Sequence, residues 1–147
     1  MTDKRPDNFL HIGLIKALFP KAKIINTLRD RDDILISIYS NLFGSAVPYA
    51  YAISDIRHWQ AQHDRLMHHW HTRWPDDILR LDYEALAASP KPVINEMLAF
   101  CGLDWEDECL APQDHAGHVR TLSQWQVRGA IHTGSVGRAE PFRRWLR

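Results

Sequence analysis

The sequence is short of cysteine, of net charge and of long apolar runs, and each shortage removes a class of protein. Only Cys101 and Cys109 occur in 147 residues. That is too few for the disulfide framework of a small secreted domain, and it points to a reducing, cytoplasmic compartment. The pair also lacks the C-x-x-C spacing of a zinc or redox motif, and Cys101 reads as a core residue beneath Gly102. Lys plus Arg and Asp plus Glu both total 18, so the formal net charge is zero with neutral His. A nucleic-acid module held by bulk positive charge is thereby argued against, although a local basic pocket is not. No apolar run approaches the roughly 20 residues that a membrane helix needs, so no spanning segment is expected. There is no internal repeat and no low-complexity segment. The N-terminal residues MTDKRPDNF carry no apolar signal region and read as starting in the middle of something.

What is present is ordinary for a folded chain: 45% hydrophobic and 24% charged residues, in a length that suits one domain with a core. Asp7 or Asn8 can cap a helix after Pro6, and Phe9, Ile12, Ile15 and Phe19 follow at helical spacing until Pro20. Lys23 to Leu28 is a β-branched run and predicts a strand. Arg29-Asp30-Arg31-Asp32-Asp33 then opens an apolar helix through Tyr39, with Asp30 and Asp33 at its positive end. Phe43 to Ile53 reads as a loop. Ser54-Asp55 opens a long helix to about Trp74, with Ile56, Trp59, His63, Leu66, Met67 and Trp70 near one face. Ile78 to Tyr83 is a second strand, Glu84 to Leu86 a short helix, and Pro92 to Phe100 another, closed by Gly102. Beyond Ala111 the chain is loop-rich, with short helices expected at Gln124 to Gln126 and Glu140 to Leu146. Strands separated by helices predict an α/β fold with parallel pairing. Two strands are too few for a free-standing sheet, so either a partner strand is missing or a third is unrecognised.

The strongest local signal for chemistry is Arg29 at the end of the first strand, with Ser37 two helical turns on. Ligands in open α/β sheets sit beyond the carboxyl ends of strands, where the free N–H groups of a helix attract anions. Arg29 adds a planar fork suited to phosphate. The alternative is a solvated charged turn with Ser37 bonded back to a helix carbonyl. The histidines are a weaker signal. His58, His63, His68, His69 and His71 share the long helix, but no pair has the i, i+4 spacing of a helical zinc site, and no metal is expected. Trp59, Trp70 and Trp74 read as packing residues.

The order of short motifs carries more than any one of them. Asp3-Lys4-Arg5-Pro6-Asp7-Asn8-Phe9 is followed by Arg29-Asp30-Arg31-Asp32-Asp33 and Ser37. Then come Pro48-Tyr49-Ala50-Tyr51, Leu81-Asp82-Tyr83-Glu84-Ala85-Leu86 and Leu98 to Leu103. Val119-Arg120-Thr121-Leu122-Ser123, Gln126-Val127-Arg128 and Ser135-Val136-Gly137-Arg138 close the series. In this order the chain resembles the C-terminal part of a sulfotransferase catalytic domain, nearest to the bacterial tetratricopeptide-linked and protein-tyrosine branch. The resemblance implies a P-loop-like three-layer α/β fold with a parallel sheet. Residues 1–147 would be a single partial domain, truncated at the N-terminus and lacking the first strand and the 5′-phosphosulfate loop.

The resemblance also implies roles. Arg29 and Ser37 would bind the 3′-phosphate of 3′-phosphoadenosine 5′-phosphosulfate, Tyr83 would lie near its adenosine, Ser123 would begin a loop that closes over it, and Arg138 would reach its phosphates. Lys4 would be the catalytic cation on the sulfuryl group and its leaving oxygen, where charge builds in the transition state. No metal is implied. The partners would be the nucleotide donor and a small-molecule or protein acceptor, with an upstream tetratricopeptide segment in a longer form. Arg31 stands where the family usually has Pro, and Ala139 where it has an aromatic. No Gly-rich turn with Ser or Thr precedes a helix, so the chain would hold half a site, and alone it would neither transfer sulfate nor fold robustly. The reading from another class is a non-catalytic α/β remnant that keeps the fold without donor chemistry.

Overall fold

Proline and glycine set most of the boundaries in the computed structural model, which describes residues 2–44, 47–111 and 131–146. Pro6, whose missing N–H costs nothing in a first turn, starts a 3-10 turn over Pro6–His11 that runs into α1 (Ile12–Leu18). Neither Asp7 nor Asn8 caps it; the N-cap position is Arg5, with no side-chain cap, and the Asn8 amide donates to Asp3 instead at 3.1 Å. β1 (Ile24–Leu28) leads into α2 (Arg31–Tyr39), and a 3-10 turn at Pro48–Tyr51 precedes α3 (Ile53–Arg73). α3 starts one residue before the expected Ser54, from Ala52 in an extended conformation without a side-chain cap.

A 3-10 turn at Pro75–Asp77 ends the reversal into β2 (Ile78–Asp82), followed by α4 (Tyr83–Ala88) and α5 (Pro90–Cys101). Ser89-Pro90 interrupts the helical run as expected, but the second helix begins at Pro90 rather than Pro92, because a first turn tolerates both prolines. Gly102 closes α5 at φ 69°, the left-handed conformation that lets the Leu103 N–H reach the Leu98 carbonyl at 2.9 Å. Short 3-10 turns at Asp107–Leu110 and Glu140–Trp145 complete the described elements. The expected helix at Gln124 to Gln126 lies outside the described residues.

β1 and β2 pair in parallel with Ile24 opposite Ile78 and Leu28 opposite Asp82. The α/β class and the parallel pairing are as the sequence predicts; among the described residues the sheet has two strands. One apolar cluster sits at the end where the strands begin. Phe9, Ile12, Met67 and Ile78 are buried there, with Ile24, Trp59, Leu66, Trp70 and Trp74 packed around them. The tryptophans are thus packing residues. Trp70 lies so close to α1 that a Cβ on Gly13 would meet its ring at 3.0 Å, and its indole N–H donates to the Phe9 carbonyl at 2.8 Å.

Lys16 is buried beside this core, and its ammonium fixes the turn between α1 and β1. It donates to the Pro20 carbonyl, to the Ala22 carbonyl at 3.1 Å and to Asp77 at 2.8 Å. Among the described residues, no helix is long and apolar enough to cross a membrane.

Candidate functional site

The carboxyl ends of the two strands put Arg29 beside Tyr83, because the pairing of Leu28 with Asp82 sets the next two residues level. The Arg29 guanidinium lies over the Tyr83 ring, 4.8 Å from its centroid. A cation on an aromatic face in a partly dry setting contributes about 1–2 kcal/mol. Asp30 then turns the chain into α2, its carboxylate accepting the Asp32 N–H at 3.0 Å and the Asp33 N–H at 2.9 Å. Its own N–H donates to Glu84 at 2.9 Å, which ties the start of α2 to the start of α4.

These bonds correct one expectation. The sequence pattern assigns the N–H groups at the start of α2 to an incoming anion, but two of them are already satisfied by Asp30. Asp30 is an N-cap, the role in which a side-chain oxygen competes best for those donors. The basic group left at the strand ends is Arg29.

Arg29 is itself engaged. One terminal nitrogen donates to the Ser135 carbonyl and sits 3.5 Å from the Asp33 carboxylate. Its Nε is buried and has no hydrogen-bond partner among the described residues. Asp33, only 1% exposed, points away from the helix end that its sequence position suggests. Its carboxylate accepts the Gly137 N–H at 2.7 Å and the Ala139 N–H at 2.8 Å. Burial alone would push this carboxyl up; the Ala139 and Gly137 N–H groups, Arg29 and the Arg138 N–H outweigh burial and hold it below the usual carboxylate range. Gly137 occupies φ 75°, which only glycine adopts without strain, so the turn presents two N–H groups to one carboxylate.

The residues singled out from the sequence divide accordingly. Arg29 and Tyr83 are in contact, and Arg138 lies on the turn held by Asp33, exposed. Ser37 is half-buried on the last turn of α2. Lys4 is exposed in the extended segment before Pro6, so its tie to Arg29 rests on the resemblance alone. Ser123, with the Val119 to Arg128 motifs, lies outside the described residues. Sequence reasoning missed the role of Asp33, which it assigned to the helix dipole. The available signal was its i, i+4 spacing from Arg29, the separation at which helical ion pairs form.

The histidines do not assemble. Among the described residues there is no group of three or more His, Cys, Asp or Glu able to hold a metal ion. His63 lies edge-on to Phe9 with ring centroids 4.9 Å apart. Burial and Arg31 hold its imidazole below the usual range, and burial, Arg80 and His68 do the same for His71.

The chemistry on offer is that of an anion half-site: a planar guanidinium on an aromatic face, with a second arginine on the adjacent turn. This donor set fits a phosphate group attached to a planar base. The comparisons with known proteins agree with the motif order. Residues 1–107 match the sequence profile of the sulfotransferase family. A protein of Aquifex aeolicus (strain VF5), described as uncharacterized, is 36% identical over 149 residues, a match covering 99% of this chain and 20% of the relative. The chain therefore spans about one-fifth of the length of that relative.

Proposed function

The chain belongs to the sulfotransferase family, and on that premise we propose that it carries the nucleotide half-site for 3′-phosphoadenosine 5′-phosphosulfate. Arg29 and Ser37 bind the 3′-phosphate, Tyr83 lies at the adenosine, Arg138 reaches the phosphates, and Ser123 begins a loop that closes over the nucleotide. The donor supplies the sulfuryl group. An acceptor hydroxyl oxygen forms the new bond to sulfur, the bond from sulfur to the bridging oxygen of the 5′-phosphate breaks, and the acceptor proton leaves to a base. Adenosine 3′,5′-bisphosphate is the other product. Lys4 neutralises the charge that develops on the bridging oxygen. The resemblance to the tetratricopeptide-linked and protein-tyrosine branch makes a protein hydroxyl the acceptor to test first.

The observation that carries this reading is the Arg29–Tyr83 pair at the carboxyl ends of two parallel strands, the place where open α/β folds bind ligands. Calorimetry with adenosine 3′,5′-bisphosphate tests it in the natural protein that carries this chain. Arg29→Ala should weaken binding by about 2–3 kcal/mol, the scale of lost charge-assisted hydrogen bonds. Arg29→Lys should restore only part of it, since a point charge lacks the fork. Equal affinity of wild type and Arg29→Ala overturns the assignment. For Lys4→Ala, kcat should fall far more than the donor KM rises, because the leaving-oxygen charge exists only in the transition state.

A second reading has its own observation. The contacts of Arg29 with the Ser135 carbonyl and Asp33 are those of a clamp that closes the fold, which suits a non-catalytic α/β module. On that reading Arg29→Ala lowers the melting temperature and leaves nucleotide affinity unchanged.

A further inference from the structure

The segment from Ile131 to Leu146 is docked by charge rather than by apolar burial. Of its described residues only Ala139 is buried, while Phe142 and Trp145 remain 45% and 58% exposed. Its ties land on Arg29, on the first turn of α2 and on Arg57 of α3. Arg29 takes the Ser135 carbonyl, Asp33 takes the Gly137 and Ala139 N–H groups, and Arg143 lies 3.9 Å from Asp30. Arg57 spans Asp32 at 2.6 Å and the Leu146 carbonyl at 3.2 Å.

Asp33 is the hub of this arrangement, because its one carboxylate reaches both the N–H groups of the turn and the Arg29 guanidinium. Its carboxylate spends both oxygens on residues 104 and 106 positions away, and one of them also faces the Arg29 guanidinium. The cap of α2 is supplied by Asp30, so the Asp33 side chain is not needed to satisfy the helix end. A buried carboxylate with no such partners would be costly, so its place is justified by what it holds.

We propose that Asp33 is a positioning residue: it fastens the Ser135–Ala139 turn over the strand ends and thereby sets the Arg29 fork on Tyr83. This rests on the nucleotide reading of the same site. Without the Asp33 carboxylate the turn loses both of its N–H acceptors, the Ser135 carbonyl is its one remaining tie to Arg29, and the fork is freer to leave the Tyr83 face.

A double-mutant cycle in the natural protein tests this, with adenosine 3′,5′-bisphosphate as the probe in calorimetry. Asp33→Asn keeps the shape but loses the charge, and should weaken binding by about tenfold, the scale of one misplaced charge-assisted bond. In an Arg29→Ala background the same change should have no further effect, because Asp33 acts through Arg29. A merely structural role would weaken binding equally in both backgrounds, and that result overturns the proposal. Undiminished binding by Asp33→Asn overturns it too. If Asp33→Asn does not fold, Gly137→Ala takes its place in the cycle, straining the turn at φ 75° while leaving the carboxylate intact, with the same two outcomes. Full binding by Arg29→Ala alone would instead remove the nucleotide reading, so the two failures are distinct.

Discussion

The cluster where the parallel strands begin and the C-terminal turn docked where they end are held by different balances of force. Where the strands begin, Phe9, Ile12, Met67 and Ile78 interlock with three tryptophans, and stability comes from apolar area and close packing. Where they end, the turn over α2 buries one apolar residue, Ala139, and is fixed by Arg29, Asp33 and their backbone partners. Apolar packing is non-directional and is not weakened by ionic screening. Charge-assisted bonds are directional, and they are what an anionic ligand can compete for or complete. A chain that separates the two can keep a rigid base while its polar end serves a ligand.

The largest test of this contrast is Ile12→Ala. It should cost about 3–4 kcal/mol in urea unfolding, the scale of a methyl-rich side chain removed from a full core. It should leave affinity for adenosine 3′,5′-bisphosphate unchanged in the protein that remains folded; a matching loss of affinity would break the division into two ends. A smaller effect is expected for Gly13→Ala. The new methyl meets the Trp70 ring at 3.0 Å, and such overpacking costs about 1–3 kcal/mol. A neutral or stabilising result would show that the α1–α3 contact is looser than its geometry.

Acid should act on the fold in two stages. His63 and His71 have imidazoles held below the ordinary range, so the unfolded chain binds their protons first. Stability is full above the unfolded value of about 6.5 and falls as pH drops below it. The Asp33 carboxyl is also depressed, so its contribution is complete above about 3.9 and is lost only as pH falls below that, through the lower folded value. Melting temperature against pH should therefore decline first near pH 6, from the two histidines, and again below pH 4, where Asp33 at one end of the strands and Asp77, held low by Lys16 and Lys23 at the other, both lose their charge. His71→Asn should flatten part of the first decline and leave the second. The smallest effect is expected for Asp64→Ala. Its bond to Arg31 joins side chains 53% and 46% exposed, and a pair so placed contributes at most about 0.5–1 kcal/mol.

The sequence by itself determined what is local in physical origin. The strands at Ile24 and Ile78, the break at Ser89-Pro90, the stop at Gly102 and the packing role of the tryptophans follow from β-branching, proline, glycine and spacing, each acting within a few residues. The order of motifs also placed the chain in its family and singled out Arg29 and Tyr83. Only the tertiary structure decided what those groups touch. Asp30 takes the N–H groups assigned to an anion, and Asp33, assigned to a helix dipole, instead holds a turn more than 100 residues away. The physical reason is that a carboxylate near a helix start has several donors within reach along the chain. Which one it takes depends on the burial and backbone shape of a segment that folds onto it from elsewhere, and no local periodicity records that choice.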